Sequence, residues 1–354
     1  DLVRSRGLGD VYKRQAYEAL NKLAEAMHVP VATSLNAKDA ILDNNPLCVG
    51  VVGTYSRRSA NQVVAEADLV VFVGTRAGGM TTHFWTIPAK GTPTIQIDID
   101  PLVNGRNYPT DVSIVGDARV TLEKMNELNV PVPKERVEWL KQVKEICTSY
   151  KIDFKNVYES DAYPIRPERI VNELSNGMPK NAVIVVDTGH SGMWMGGMFE
   201  KRHEDQSYIR SAGHLGWAFP AALGAKCGAP HRPVVCFMGD LGFWYHMAEV
   251  ETAVRAGINT ITIINNNNSG NMAKDSISNI YDGKPTKASQ DIWVQNKINF
   301  AKIAEDMGAV GIRIEKANEI ASAFQNALQL DKPVVIDIAT DIEVVAPKAW
   351  EPKA

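Results

Sequence analysis

Short apolar runs alternate with helical stretches along most of this chain. The stretch "SANQVVAEADLVVFVGTR" (59–76) reads as an amphipathic helix followed by an apolar strand that ends at Gly74, and "TPTIQIDID" (92–100) reads as a further strand. Helices that alternate with strands in this way are typical of βαβ units, whose neighbouring strands run parallel. The pattern therefore predicts an α/β fold made of two doubly wound parallel-sheet domains.

The length of 354 residues, of which 45% are hydrophobic, provides the apolar material for about two domains. We expect a central α/β domain at 16–130, a linker helix at 131–163 and a second α/β domain at 164–354. The second domain is predicted to contain strands at 183–186, 234–237, 260–264 and 333–340.

The opening segment, "DLVRSRGLGDVYKRQ" (1–15), has neither helical nor strand periodicity. It resembles translated adaptor sequence at the end of an assembled read, so we expect a non-native segment there and exclude it from fold reasoning. A frayed native terminus is the alternative.

Charge and composition exclude several classes of protein. The net charge is −3 with both signs mixed along the chain, which argues against a nucleic-acid partner. The purely apolar runs are far shorter than the roughly 20 residues that cross a bilayer, so we expect a cytoplasmic protein without a membrane partner. The four cysteines, Cys48, Cys147, Cys227 and Cys236, lack C-x-x-C or zinc-ligand spacing and are interpreted as buried apolar residues.

Two predicted strands end in oxygen ligands. The apolar run Val234–Phe237 leads to Asp240, which lies between Gly239 and Gly242, and the run Ile261–Ile264 leads to four consecutive asparagines, 265–268. One helix and one strand are expected between the two, so the strands form a right-handed crossover and their carboxyl ends share one edge of the sheet. A carboxylate, an amide oxygen and a loop carbonyl suit Mg²⁺ or Ca²⁺, and nearby glycines allow a phosphate to approach the backbone.

The 27-residue interval from Asp240 of the Gly-Asp-Leu-Gly segment to Asn267 resembles the signature of thiamine-diphosphate-dependent enzymes. The stretches "VIVVDTGHSGMW" (183–194), "SAGHLGWAFPAALGA" (211–225) and "FAKIAEDMGAVGIRIE" (300–315) are similar to the diphosphate-binding domain of acetolactate synthase large subunits. Upstream, "PVATSLNAKDAI" (30–41) and "PTIQIDIDP" (93–101) are similar to the central domain of the same family. The resemblance covers nearly all of residues 16–340.

The resemblance implies thiamine diphosphate and Mg²⁺ as cofactors. It implies Asp240, the side chain of Asn267 and the backbone carbonyl of Ser269 as metal ligands. The residues that it places at the cofactor, besides these three, are Gly189, His190, Ser191, Gly213, Leu215, Leu241, Gly242 and Met272. Leu215 takes the position of the bulky apolar residue that bends the cofactor.

Three residues depart from the family pattern. Leu241 and Asn271 replace glycines, and Ser191 replaces a common histidine. The Cβ of Leu241 is expected to crowd the phosphate or shift the loop. In the central domain Arg76 is kept without the Phe-Asp-Asp-Arg of flavin-containing members, which leaves FAD as the less favoured alternative.

The implied activity is that of a transferase or lyase, a carboligase or decarboxylase acting on small-molecule 2-oxo acids in branched-chain amino acid biosynthesis, as a homodimer or homotetramer. The family's catalytic glutamate belongs to an N-terminal pyrimidine-binding domain, which we expect to be absent here, so the chain alone is expected to be inactive. His214 and His246 are weak local candidates for proton transfer. A benzoylformate-type decarboxylase or another carboligase of the same family, and a non-catalytic cofactor-binding homologue, remain open. A nicotinamide-dependent dehydrogenase leaves the Asp-Asn spacing without a cause.

Overall fold

The computed structural model describes residues 16–128, 130–210, 213–284 and 286–352, and the opening segment 1–15 lies outside them. The chain forms two compact units. The first runs through Phe154 and also takes in Glu200–Arg202 and the residues from Lys348, while the second comprises Lys155–Phe199 and His203–Pro347. The predicted domain boundaries at 130 and 164 therefore differ in detail from the boundaries of the compact units.

The first unit contains two parallel sheets, β1-β2 and β3-β4-β5. Its strands are β1 (Val31–Thr33), β2 (Cys48–Val51), β3 (Val70–Val73), β4 (Thr94–Asp98) and β5 (Val112–Val115). Its helices are α1 (Tyr17–Met27), a 3₁₀ helix (Leu35–Ala40), α2 (Arg58–Ala65), α3 (Ala118–Asn126) and most of α4 (Lys134–Tyr158).

The helix predicted as a linker is α4, and its residues through Phe154 are part of the first unit. Val143 of this helix is buried in a cluster with Val49, Ala60 and Val63. A single buried side chain every two turns leaves a weak periodic signal, so the sequence pattern resembled that of a connector. None of the helices in the described parts of the chain is long and apolar enough to cross a membrane.

The second unit contains one six-stranded, all-parallel sheet in the order β10-β11-β9-β8-β6-β7. Its strands are β6 (Val183–Val186), β7 (Ser207–Arg210), β8 (Val234–Gly239), β9 (Ile261–Asn266), β10 (Val310–Ile314) and β11 (Val334–Ala339). Its helices are α5 (Pro167–Gly177), α6 (Gly189–Met198), α7 (Ala218–Gly228), α8 (Asp240–His246), α9 (Glu249–Ala256), α10 (Lys274–Ile280), α11 (Lys287–Asp291), α12 (Phe300–Asp306) and α13 (Ile320–Ala327). The predicted α/β fold is confirmed.

The central strands β8 and β9 are buried on both faces, which explains their apolar sequences. Cys236, Met238 and Ile264 contribute to a core cluster that also includes Phe219 and Phe300 of the helices on that face. On the other face, α6 packs against β6 and β8. Polar side chains can therefore reach solvent only where these strands end.

A cluster of buried charges lies within the first unit. The Asp43 carboxylate accepts a hydrogen bond from the backbone N–H of Lys201 at 2.7 Å and pairs with Arg57 at 2.8 Å and with Lys38 at 3.5 Å. Burial acts to raise the pKa of Asp43, but Lys38, Arg57 and the Lys201 N–H outweigh it, so the pKa is lowered. Asp43 is therefore ionised and compensates two buried cations.

We expect Asp43→Asn to lower the free energy of unfolding by about 3 kcal/mol or more at pH 7, because the two cations stay buried without their carboxylate. The difference from the unmodified protein should shrink as the pH falls below about 4, since a carboxylate with a lowered pKa stabilises the fold above its unfolded pKa and loses that contribution on protonation. Urea titrations at neutral and acidic pH measure both effects. Glu138→Gln, at an exposed pair with Lys141, is the control and should change stability by less than about 0.5 kcal/mol. A difference in unfolding free energy between Asp43→Asn and the unmodified protein that stays the same at every pH would contradict an ionised Asp43 with a lowered pKa.

Candidate functional site

The candidate site lies where β8 and β9 end. The two strands are adjacent and parallel, and Gly239 at the end of β8 pairs with Asn265 near the end of β9. Asp240 follows β8 directly, and Asn267 follows β9. The structure therefore brings the acid and the asparagine run to the same edge of the sheet, which is the edge where ligands bind in open α/β sheets.

The expectation of one helix between these two residues was wrong, because two helices, α8 and α9, precede β9. The first begins at Asp240, so the Gly-Asp-Leu-Gly segment passes directly from strand into helix. The second ends at Ala256 and is followed by Gly257, which has the left-handed conformation common after helix C-termini. The aromatic run Phe243–Tyr245 has no helical periodicity of its own, so α8 gave no separate sequence signal.

The three predicted metal ligands form one hydrogen-bonded group. Asp240 Oδ2 accepts a hydrogen bond from the Ser269 backbone N–H at 3.1 Å, and the Ser269 hydroxyl donates to Asn267 Oδ1 at 2.9 Å. All three residues are at most 7% exposed. A second N–H, that of Leu241, donates to Asp240 Oδ1 at 2.6 Å.

The four asparagines have different environments. Asn266 donates to Asp337 Oδ1 at 2.8 Å and to the Ile298 carbonyl at 3.0 Å, and Asn268 accepts from the Ile298 N–H at 2.9 Å. These two residues hold the neighbouring segment. Asn267 alone of the four makes a side-chain contact with the group around Asp240 through Ser269. The Oδ1 atom of Asn265 is buried without a hydrogen-bond partner among the described residues.

Burial raises the pKa of Asp240 to about 6. The backbone N–H groups of Leu241, Ser269 and Asn268 oppose the shift, and the charge of Asp337 adds to it. A cation beside the carboxylate would remove this cost of burying it. The oxygen-only donor set fits Mg²⁺, and within the described ranges no three His, Cys, Asp or Glu side chains group together as a metal site, so zinc-type ligation has no support there.

The predicted phosphate-binding residues surround the N-terminus of α6. Gly189 begins the helix with a φ of +69°, and a Cβ there would lie 3.6 Å from the Met272 sulfur. His190 Nδ1 lies 2.8 Å from Asn271 Oδ1, and Ser191 Oγ lies 3.5 Å from the position of a Cβ on Gly239. Exposed N–H groups at the start of a helix attract anions, so this arrangement suits a phosphate group.

Asp187, which the sequence analysis did not single out, connects three parts of the site. It is fully buried after β6, and its two carboxylate oxygens accept hydrogen bonds from the Gly216 N–H at 2.9 and 3.1 Å. Burial raises its pKa, and backbone N–H groups oppose that shift. A Cβ on Gly242 would stand 2.3 Å from Asp187 Oδ2 and 3.4 Å from Leu215 Cδ1. The sequence signal that could have identified Asp187 is an acidic residue directly after a buried strand, the same signal as at Asp240.

The other predicted cofactor residues lie on the loop after β7 and at the start of α8. Gly213 is exposed with a φ of +87° and has open space around it, and Leu215 is half-buried against Gly242. Leu241 points towards the loop after β9, since its Cδ2 lies 3.2 Å from the position of a Cβ on Gly270. The expected shift of this loop by Leu241 stays a prediction.

The two candidate histidines lie near the same loop. His214 is exposed on it, and the His246 ring lies 3.1 Å from the position of a Cβ on Gly216. Phe243, on α8 between the candidate residues Leu241 and His246, is 1% exposed and packs against Phe219 and Phe300 in the core. It is therefore a structural residue.

Comparison with protein families supports the resemblance. Residues 187–338 match the C-terminal TPP binding domain of thiamine pyrophosphate enzymes, and residues 9–125 match the central domain of the same enzymes. The chain belongs to the thiamine pyrophosphate enzyme family. The match to the C-terminal TPP binding domain includes Asp187, Asp240 and Asn267.

The curated relatives of this chain include proteins named as acetolactate synthases or as containing thiamine pyrophosphate. It is 33% identical over 350 residues to a probable acetolactate synthase large subunit of Methanococcus aeolicus, a match covering 94% of this chain and 57% of the relative. It is 28% identical over 340 residues to the acetolactate synthase large subunit of Haemophilus influenzae (94% and 58%). It is 29% identical over 333 residues to the putative thiamine pyrophosphate-containing protein YdaP of Bacillus subtilis (92% and 54%). The chain thus spans little more than half the length of these relatives.

Gly242→Ala should destabilise the second unit by about 1–3 kcal/mol, because the new Cβ would overlap the buried Asp187 carboxylate. The matched control is Gly224→Ala on the exposed side of α7, where a Cβ meets no atom within 4 Å. That change should stabilise the helix by up to about 1 kcal/mol. Urea unfolding followed by circular dichroism measures both, and equal effects of the two substitutions would contradict the packing described here.

Proposed function

We propose that the second unit binds the diphosphate of thiamine diphosphate through a Mg²⁺ ion held by Asp240, the Asn267 side chain and the Ser269 carbonyl. The observation that carries the proposal is the buried hydrogen-bonded group of these three residues at the ends of two adjacent parallel strands. Its oxygen donors suit Mg²⁺, which completes its coordination with phosphate oxygens. The family match supplies the identity of the phosphate ligand.

The chain's own residues position and shield the cofactor. The N-terminus of α6, with Ser191, offers hydrogen-bond donors to the diphosphate. Asp187 fixes the loop that carries Leu215 by accepting a hydrogen bond from the Gly216 N–H. Leu215 would pack against the cofactor when it is bound. When bound, thiamine diphosphate supplies a carbanion and an electron sink for 2-oxo acid chemistry.

We infer an acetolactate-synthase-like activity, in which 2-oxo acids are decarboxylated and joined in branched-chain amino acid biosynthesis in the cytoplasm. The names of the relatives from Methanococcus aeolicus and Haemophilus influenzae support this substrate class. Those relatives are longer than this chain, and we propose that the proton-transfer glutamate and part of the acceptor pocket come from residues outside it. A homodimer or homotetramer would bring the parts together, and FAD is the less favoured additional cofactor.

A non-catalytic thiamine-diphosphate-binding homologue is the second candidate. It is favoured by the Bacillus subtilis relative, whose name states only that the protein contains thiamine pyrophosphate. Both candidates require the Mg²⁺ site, so cofactor binding does not separate them. Product formation from pyruvate by a chain extended to the full length of its relatives would favour the enzyme.

Asp240→Ala should weaken Mg²⁺-dependent thiamine diphosphate binding by about 100-fold or more, because it removes the only carboxylate among the proposed ligands. Isothermal titration calorimetry with and without Mg²⁺ measures the change. Asp331→Ala, at an exposed carboxylate that accepts a hydrogen bond from Asn259, should bind as the unmodified chain does. Undiminished binding by Asp240→Ala, with its fold intact by circular dichroism, would refute the proposed metal site.

The purified chain is expected to form no product from pyruvate even when loaded with Mg²⁺ and thiamine diphosphate, because the group that generates the carbanion is proposed to lie outside it. Carbon dioxide release and acetolactate formation are the measurements. Turnover above the rate of cofactor free in solution would show that this chain contains the missing catalytic group.

A further inference from the structure

His190 and Asn271 form a pair that the family resemblance does not include, since Asn271 stands where a glycine is usual. His190 is the second residue of α6, and its Nδ1 lies 2.8 Å from Asn271 Oδ1. Asn271 is buried, and its Nδ2 donates to the Val344 carbonyl at 3.2 Å and to the Ile342 carbonyl at 3.5 Å. The pair therefore joins the start of α6 to the segment after β11 within the second unit.

These contacts fix which atoms of the pair donate. Carbonyl oxygens only accept hydrogen bonds, so the Asn271 amide must direct Nδ2 towards Val344 and Ile342 and Oδ1 towards the imidazole. An acceptor at Oδ1 requires that Nδ1 of His190 carries the proton. In the neutral ring, Nε2 is then an unprotonated acceptor.

The unprotonated Nε2 of His190 cannot donate a hydrogen bond to an anion at the N-terminus of α6. None of the described residues forms a hydrogen bond with His190 Nε2. This atom is not fully buried, so a ligand can reach it. A phosphate oxygen is an acceptor too, so a neutral His190 in this tautomer offers it no hydrogen bond. A proton on Nε2 converts the ring into a donor and adds a positive charge opposite the phosphate.

We propose that His190 binds the diphosphate as an imidazolium, so that the site takes up one proton when the cofactor binds. The inference rests on the proposed function, because it takes the anion at α6 to be the diphosphate. The proton comes from solvent or buffer and adds to Nε2, while Nδ1–H keeps its bond to Asn271. The new Nε2–H bond forms as the bond to hydrogen in the solvent or buffer acid breaks, and no electrons are transferred between molecules.

The surroundings of His190 suit a ring that gains its proton only on binding. Burial lowers the pKa of His190, which favours the neutral ring in the free protein, while the Asn271 hydrogen bond and the carboxylate of Asp275 on α10 act in the opposite direction. Trp194, one turn along α6, faces the ring edge-to-face with centroids 5.5 Å apart and carries no charge. Lys274, next to Asp275, is paired with Glu343. An added diphosphate acts with Asp275 to stabilise the imidazolium.

A neutral His190 ring could donate to the diphosphate only by adopting the other tautomer, with the hydrogen on Nε2. That tautomer gives up the Nδ1–H bond and leaves the buried Asn271 Oδ1 without a donor. Asn271 therefore favours proton uptake over the change of tautomer. Removing the Asn271 side chain should allow the His190 ring to adopt the Nε2–H tautomer. This separates a role of Asn271 in proton linkage from a merely structural one.

Calorimetric titration of the whole chain with thiamine diphosphate in the presence of Mg²⁺ tests the proposal. The titration is repeated at one pH near 7.5 in two buffers with different ionisation enthalpies, and the difference in observed heat gives the number of protons taken up. We use His190→Gln as the reference for proton uptake, because its amide can donate without a proton and the ionisation of the ligand cancels in the comparison. The unmodified chain should take up about one proton more than His190→Gln, and its affinity should fall by up to about tenfold per pH unit above neutrality.

Two further variants complete the test. Asn271→Gly should still bind but should take up no more protons than His190→Gln, because the released ring donates from a neutral Nε2–H. His231→Gln, at an exposed histidine, is the matched control and should keep the full uptake of one proton.

The outcomes separate the two proposals. Binding by the unmodified chain with the same proton uptake as His190→Gln would overturn the imidazolium and leave the proposed function standing. Full uptake in Asn271→Gly would overturn the role of Asn271. If Mg²⁺ and thiamine diphosphate do not bind in the unmodified chain, or bind equally well in Asp240→Ala, the proposed function itself fails.

Discussion

The candidate site depends on a carboxylate that is buried at the end of a strand and satisfied by backbone N–H groups. Asp240 is 2% exposed and accepts hydrogen bonds from Leu241 and Ser269. Burial of an ion costs free energy unless donors or a cation compensate it, and the backbone N–H groups around Asp240 compensate it only in part, as its raised pKa indicates. The fold thus holds an acceptor ready for a cation, and the loops after β8 and β9 are arranged around that acceptor.

A second buried carboxylate has a different role at the neighbouring strand end. Asp187 is also fully buried, but its hydrogen bonds go to the loop after β7, and the absence of a side chain at Gly242 gives it space. The ends of β6 and β8 therefore present two buried acids, of which Asp187 holds a loop and Asp240 is the one proposed to face a ligand. The two acids share one structural element, because Gly242 belongs to α8, the helix that Asp240 begins.

The proposed phosphate-binding side of the site contains few permanent positive charges among the residues that the structure describes. Its donors are the N-terminus of α6, Ser191 and a histidine whose pKa burial lowers. Under the mechanism proposed above, such a site would bind an anion through dipoles and through a proton gained on binding. Affinity at such a site depends on pH and on the metal more than on salt, since a buried pair is screened less than surface charges are.

The sequence by itself determined the fold class and the approximate place of the site. Alternating periodicity and apolar strands are local properties, and parallel topology follows from them because a βαβ crossover has one favoured hand. Asp240 and the asparagine run could be assigned to one edge of the sheet for that reason. Leu241, Ser191 and Asn271 were also recognisable as departures from the family motif by position alone.

Only the tertiary structure decided which polar groups meet. Four equal asparagines in sequence become four different environments, because strand pleating and the left-handed turn at Asn268 direct the side chains to different neighbours. The contact of His190 with Asn271 joins residues 81 positions apart, and that of Asp187 with Gly216 joins residues 29 apart. No local pattern encodes such contacts, since they depend on how helices and loops from separate crossovers pack at the sheet edge. The same holds for α4, whose place in the first unit depends on two buried side chains, Val143 and Tyr150, rather than on a continuous apolar face.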